Sequence, residues 1–134
     1  MTRPRHDSHS TEFGLWLREQ EALDSKREKF VATNLDYIWE NYGSGLWMLI
    51  EEKRYGAPLT WSQAKQFERL DDLCSMIDRQ YRGFHVVRFA CTSPEDGAIW
   101  VDGEQVERDY LVSFLRFELP AERYRSYFTK VKAA

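Results

Sequence analysis

Cysteine is scarce in this chain: Cys74 and Cys91 are the only two among 134 residues. Two thiols are too few for a disulfide framework, and they match no zinc-ligand spacing, so they read as reduced core residues of a cytoplasmic protein. Long apolar runs are missing as well. Nothing approaches the roughly 18 uninterrupted apolar residues of a membrane-spanning helix, and no membrane partner is expected. The N-terminus lacks the apolar block of a secretory signal, and residues 1–10 read as a mobile tail. There is no internal repeat, no low-complexity segment and no excess of positive charge. With a net charge of -3 and a pI near 5.6, the chain does not advertise a polyanion partner through its overall field. Any contact with nucleic acid must then rest on segregated basic clusters.

What is present is enough apolar material for one core: 43% of residues are hydrophobic and 15% aromatic. That composition and length predict a single domain over residues 11–134. Ser10 or Thr11 can cap a first helix over residues 11–24, with Phe13, Trp16, Leu17 and Leu23 on one stripe. Residues 36–42 and 46–53 are β-branched and aromatic runs separated by Gly43, Ser44 and Gly45, which is hairpin chemistry. Residues 30–32 read as a short strand before them. Thr60 and Gln63 have the capping-box spacing, and Phe67, Leu70, Cys74, Ile77 and Tyr81 follow on one helical face. Residues 84–90 read as a central strand and residues 99–106 as a small hairpin around Asp102-Gly103. Asp109 can cap a helix carrying Leu111 and Phe114, and Pro120 opens a last basic helix reaching Lys130.

Along an extended strand, residues two apart share a face, so Glu51 and Lys53 project together while Glu52 and Arg54 project oppositely. A turn at Gly43-Ser44 sets Asp36 opposite Glu51. A turn at Ser44-Gly45 sets it opposite Lys53, and a three-residue loop sets it opposite Glu52, scattering the trio. In the first two registers, two acids and an amine gather on one face. Facing carboxylates repel unless a cation or a proton relieves them, and two carboxylates with water and phosphate oxygens suit Mg2+ or Mn2+. Such an ion polarises a phosphodiester and acidifies water, with Lys53 beside it as a point charge.

An Asp followed, after a hairpin, by an acid-x-Lys triplet resembles the signature of the PD-(D/E)XK nuclease superfamily, whose fold is restriction-endonuclease-like. The matching residues are Asp36 and Glu51-Glu52-Lys53, and the helix, hairpin, helix, strand order over residues 12–90 is similar to that family's core. Leu35 stands where many members have Pro. The resemblance implies an α/β fold with a mixed α+β sheet, an αβββαβ core followed here by a C-terminal hairpin and helices. It implies a metal-dependent nuclease acting on DNA, with Asp36, Glu51, Lys53 and a helix Gln as catalytic residues. Gln66 is preferred for that last role, because the capping box already employs Gln63. It further implies Mg2+ or Mn2+ held by Asp36 and Glu51, with Glu12 of the first helix as an added ligand. The small size of such nucleases points to a homodimer.

Arg54 and Tyr55, just beyond the triplet, are expected to contact phosphate. His85 alternates with Val87 and Phe89 and reads as a structural histidine, and most of the five tryptophans read as core. Two other functional classes fit the composition. One is a binding protein, adaptor or inhibitor, that keeps the fold and uses its acidic surface. The other is a structural domain in which Asp36, Glu51 and Lys53 form only an ion-pair network.

Overall fold

The computed structural model describes residues 12–133, so the expected tail over residues 1–10 and the expected caps Ser10 and Thr11 lie outside the described residues. The chain forms two compact units, divided between Asn34 and Leu35. In the first, helix α1 spans Glu12–Glu19 and a 3-10 turn follows at Glu21–Leu23. The expected helix over residues 11–24 is thus interrupted. Gln20 leaves the helical region for extended backbone, and its side-chain amide donates to the Trp16 carbonyl at 3.1 Å. Residues 30–32 carry no regular structure, contrary to the expected strand. A short β-prone run states a preference for a pleated surface and supplies no partner of its own.

The second unit is built on a five-stranded mixed sheet in the order β1-β2-β3-β4-β5. Strand β1 (Tyr37–Glu40) is antiparallel to β2 (Trp47–Arg54), and β2 is parallel to β3 (Tyr81–Phe89). Helix α2 (Trp61–Ile77) makes the connection between β2 and β3, as a parallel pair requires. Strands β4 (Ile99–Val101) and β5 (Glu104–Val106) form the small hairpin expected from Asp102-Gly103, and both turn residues have positive φ. This is an α+β mixed sheet, with two strands rather than three before the crossover helix. Helices α3 (Arg108–Leu115) and α4 (Tyr127–Ala133) complete the unit. Among the described residues no helix is long and apolar enough to cross a membrane.

Each face of the sheet has its own core. Leu49, Phe84 and Val86 pack with Phe67 of α2 and Phe128 of α4. On the other face Met48, Ile50, Val87, Phe89 and Val101 pack with Leu111 and Phe114 of α3 and with Tyr124. Alternation along β2 therefore fixes which side every residue of the triplet takes: Glu51 and Lys53 follow Leu49 to the α2 side, and Glu52 follows Ile50 to the α3 side.

Three expectations are corrected here. The buried stripe of α2 does not include Leu70 and Ile77, which are 39% and 83% exposed. Asp71 takes the interior position, because the Tyr81 hydroxyl and the Phe84 amide both donate to it, at 2.6 and 3.2 Å. A buried carboxylate with two donors is satisfied where an unpaired one would not be. Tyr81 itself belongs to β3, since α2 ends at Ile77. Gly83 sits inside β3 at φ 91°, where a Cβ would come within 2.6 Å of the Tyr124 carbonyl oxygen. Finally, the expected last helix from Pro120 to Lys130 is split. A 3-10 turn occupies Ala121–Tyr124 and α4 starts at Tyr127, with the Ser126 hydroxyl accepting the Thr129 amide at 3.3 Å.

Candidate active site

The hairpin that carries the acids closes with a four-residue loop. The Asn41 amide donates to the Leu46 carbonyl at 2.9 Å, and the Asn41 side-chain oxygen accepts the amides of Gly43 and Ser44. Gly45 adopts φ 85°, and a Cβ there would meet the Gln80 side chain at 2.4 Å. Closure of this kind sets Tyr37 opposite Ile50. Continued by one residue, the same register brings Asp36 to Glu51, the arrangement expected from a turn centred on Gly43-Ser44. The Asp36 carboxylate accepts the Glu52 amide at 2.8 Å, which ties it to β2 beside Glu51.

Glu51 is the chemical centre of the group. It is only 3% exposed. Its Oε2 accepts from Gln63 Nε2 at 3.1 Å and lies 3.2 Å from Lys53 Nζ. Among the described residues its Oε1 is buried without a hydrogen-bond partner. An unsatisfied buried carboxylate oxygen is costly in a folded protein, and where one persists it marks a place for a proton or a ligand. The Glu51 carboxyl is accordingly pushed up to about 7, by burial first and by the Asp36 charge second. The Lys53 ammonium and the Asp36 backbone amide pull the other way without cancelling this.

Lys53 is held as tightly as Glu51. Its Nζ donates to Gln63 Oε1 at 2.8 Å, so one side-chain amide grips both members of the pair. The same Oε1 accepts the Thr60 amide at 3.0 Å, while the Thr60 hydroxyl accepts the Gln63 amide at 3.1 Å. The capping box at the start of α2 is thus also the clamp of the acid-amine pair. The helix residue that reaches the site is therefore Gln63, where Gln66 was expected. Gln66 stands one turn further along and makes none of these bonds. The signal is present in the sequence, since a capping-box residue at N3 projects back toward the preceding strand, but the capping motif by itself accounts for Gln63 and so points away from it.

The remaining expected residues fall as follows. Glu12 stands in the first turn of α1, in the N-terminal unit, and the site just described is assembled within the second unit. Arg54 pairs with Glu52 at 2.5 Å, and the Tyr37 hydroxyl donates to the same Glu52 carboxylate at 3.2 Å. Strand alternation puts this trio on the opposite side from Glu51 and Lys53. Tyr55 begins the turn after β2 at φ 53° and is 69% exposed. Several cations of the C-terminal segment are engaged within the fold: Lys130 with Asp102, Lys132 with Glu68 and Arg123 with Glu104.

Among the described residues no group of three or more His, Cys, Asp or Glu is gathered in metal-binding proximity. The donor set near Glu51 is instead two carboxylates. An unpartnered buried oxygen beside a second acid suits a hard divalent cation that completes its shell with water and substrate oxygens. Comparison with known proteins returns no matching family model, no matching curated protein and no matching solved structure.

Proposed function

We propose that this protein is a metal-dependent nuclease that hydrolyses phosphodiester bonds, with DNA as its substrate. The observation that carries the reading is the buried, unpartnered Oε1 of Glu51, placed beside Asp36 and 3.2 Å from the Lys53 ammonium on the other oxygen. Asp36 and Glu51 would hold Mg2+ or Mn2+. Such an ion, when bound, polarises the phosphodiester and makes its water a better nucleophile. Lys53 offers a fixed positive charge to the phosphate oxygens as negative charge develops on them. Gln63 holds Glu51 and Lys53 in mutual orientation, and Thr60 holds Gln63. Preorganisation of this kind is what lets a small site stabilise a transition state without reorganising during the reaction.

The test is cleavage of plasmid and of labelled oligonucleotides in Mg2+ or Mn2+. Cleavage is expected in the parental chain, is expected to stop on addition of chelator, and is expected to be lost in Asp36→Ala and in Lys53→Ala. Intact substrate under every condition would overturn the reading and leave the binding-protein alternative.

A further inference from the structure

Strands β2 and β3 run parallel with Glu51 beside Val86 and Lys53 beside Arg88. Paired residues of a parallel ladder share a face, and the strands lie about 4.8 Å apart. Val86 belongs to the core beneath α2, so the residue two positions on, Arg88, points to the same side as Glu51 and Lys53. Arg88 is partly exposed. Its Nη1 donates to the carbonyl of Ala57, in the segment that leads from β2 to the Thr60 cap. A guanidinium has five N–H donors in a planar fork, and this one spends a single donor on the backbone. Among the described residues no carboxylate lies within ion-pair distance of it. Lys53 and Arg54, by contrast, each have an acidic partner, Glu51 and Glu52.

From this placement we propose that Arg88 anchors a backbone phosphate of the bound strand, adjacent to the bond that is cut. The inference rests on the nuclease reading and deepens it by naming where the substrate's charge is held. Ala57 fixes the guanidinium from one side and leaves the rest of the fork for two non-bridging phosphate oxygens, the geometry at which Arg surpasses Lys. Arg54, adjacent to the triplet in sequence, is turned away on the other face. Arg88 is 35 positions after Lys53 and becomes its neighbour only when β3 pairs with β2.

Steady-state cleavage of a labelled oligonucleotide in Mg2+ tests this over a series of salt concentrations. Arg88→Gln is expected to raise KM about tenfold, with kcat within about twofold, as loss of one anchoring contact does. The slope of log KM against log salt is expected to fall by about 0.7 to 0.9, the signature of one phosphate contact removed. Arg88→Lys should keep the salt slope with an intermediate KM, which guards against misfolding of the Gln variant. Arg116→Gln, at an exposed cation paired with Glu118 at the end of α3, should leave both quantities unchanged. Unaltered KM and salt slope in Arg88→Gln, with cleavage intact in the parental chain, would overturn this proposal alone. A parental chain that cuts nothing would overturn the nuclease reading and this proposal with it.

Discussion

At the scale of single residues, Glu51 combines a cost to the fold with a use in the site. Its carboxyl is raised to about 7 from an ordinary value of 4.5. Between those values the folded state keeps a proton that the unfolded chain gives up. The contribution of Glu51 to stability is therefore full below pH 4.5 and is lost as pH rises through 7. Glu51→Gln, which mimics the protonated form, is expected to stabilise the protein at pH 8 by roughly 1–2 kcal/mol while abolishing cleavage. Thermal melts in chelator at pH 5 and pH 8 check this, with the gain expected at pH 8 and shrinking toward pH 5. A variant less stable than the parent at pH 8 would contradict the account of Glu51. The common face of Glu51 and Lys53 was legible in the sequence because a strand's period of two is rigid, whereas the place of Asp36 depended on which of three hairpin registers the loop adopts, and the observed pairing of Tyr37 with Ile50 selects it. The identity of the helix glutamine was not legible. Gln63 has two duties, and the capping motif explained one of them well enough to hide the other.

At the scale of elements, the capping box of α2 and the β4-β5 turn were readable from local chemistry, because each is settled by contacts within a few residues. The rotation of α2 was not readable. Phe67 and Cys74 belong both to the expected stripe and to the observed one, and the choice between Leu70 and Asp71 depends on donors supplied by β3. Tyr81 and Phe84 lie 10 and 13 positions beyond Asp71 and meet it only after the crossover. Asp71→Ala should accordingly destabilise the protein by roughly 2–4 kcal/mol, since it strands a buried hydroxyl and a buried amide. Leu73→Gln, on the exposed side of the same helix, should change stability by no more than about 0.5 kcal/mol. Urea unfolding of the two variants separates these outcomes, and equal losses would show that the helix packs by its other face. Thr60→Val should cost about 1 kcal/mol through loss of the cap, and should also lower cleavage by freeing Gln63. Stability lost with cleavage kept would mean that the cap and the site are independent.

At the scale of the whole second unit, the sheet is tied to α4 by charge as well as by apolar packing. The Asp102 carboxylate, buried although its residue in the β4-β5 turn is only half-buried, accepts the Val86 amide at 2.9 Å, faces His85 Nδ1 at 2.8 Å and pairs with Lys130 at 2.7 Å. Burial pushes the Asp102 carboxyl up, but His85 and Lys130 outweigh it and hold the group below its ordinary 3.8. A depressed carboxylate adds stability above its unfolded pKa and loses it as pH falls through the folded one, so the Asp102 contribution is expected to be lost as pH falls below the ordinary 3.8. Asp102→Ala is expected to cost about 3 kcal/mol near neutral pH, because His85 and Lys130 lose their shared partner. Chemical denaturation at pH 7 measures that loss, and an unchanged midpoint would show the tie to be dispensable. None of this long-range network was legible in the sequence, where His85, Asp102 and Lys130 are separate features and only their assembly gives them a common role. The hairpin is different, because its partners are near in sequence and its glycines mark the turn.

The most direct measurement is of cation binding to the acids, independent of any substrate. Titration of the full chain with Mn2+, followed by the electron paramagnetic resonance of the free ion, is predicted to reveal a site that is lost in both Asp36→Asn and Glu51→Gln and is retained in Arg54→Gln. Binding that persists undiminished in the two acid variants, or no binding by the parental chain, would contradict the claim that these carboxylates share a metal.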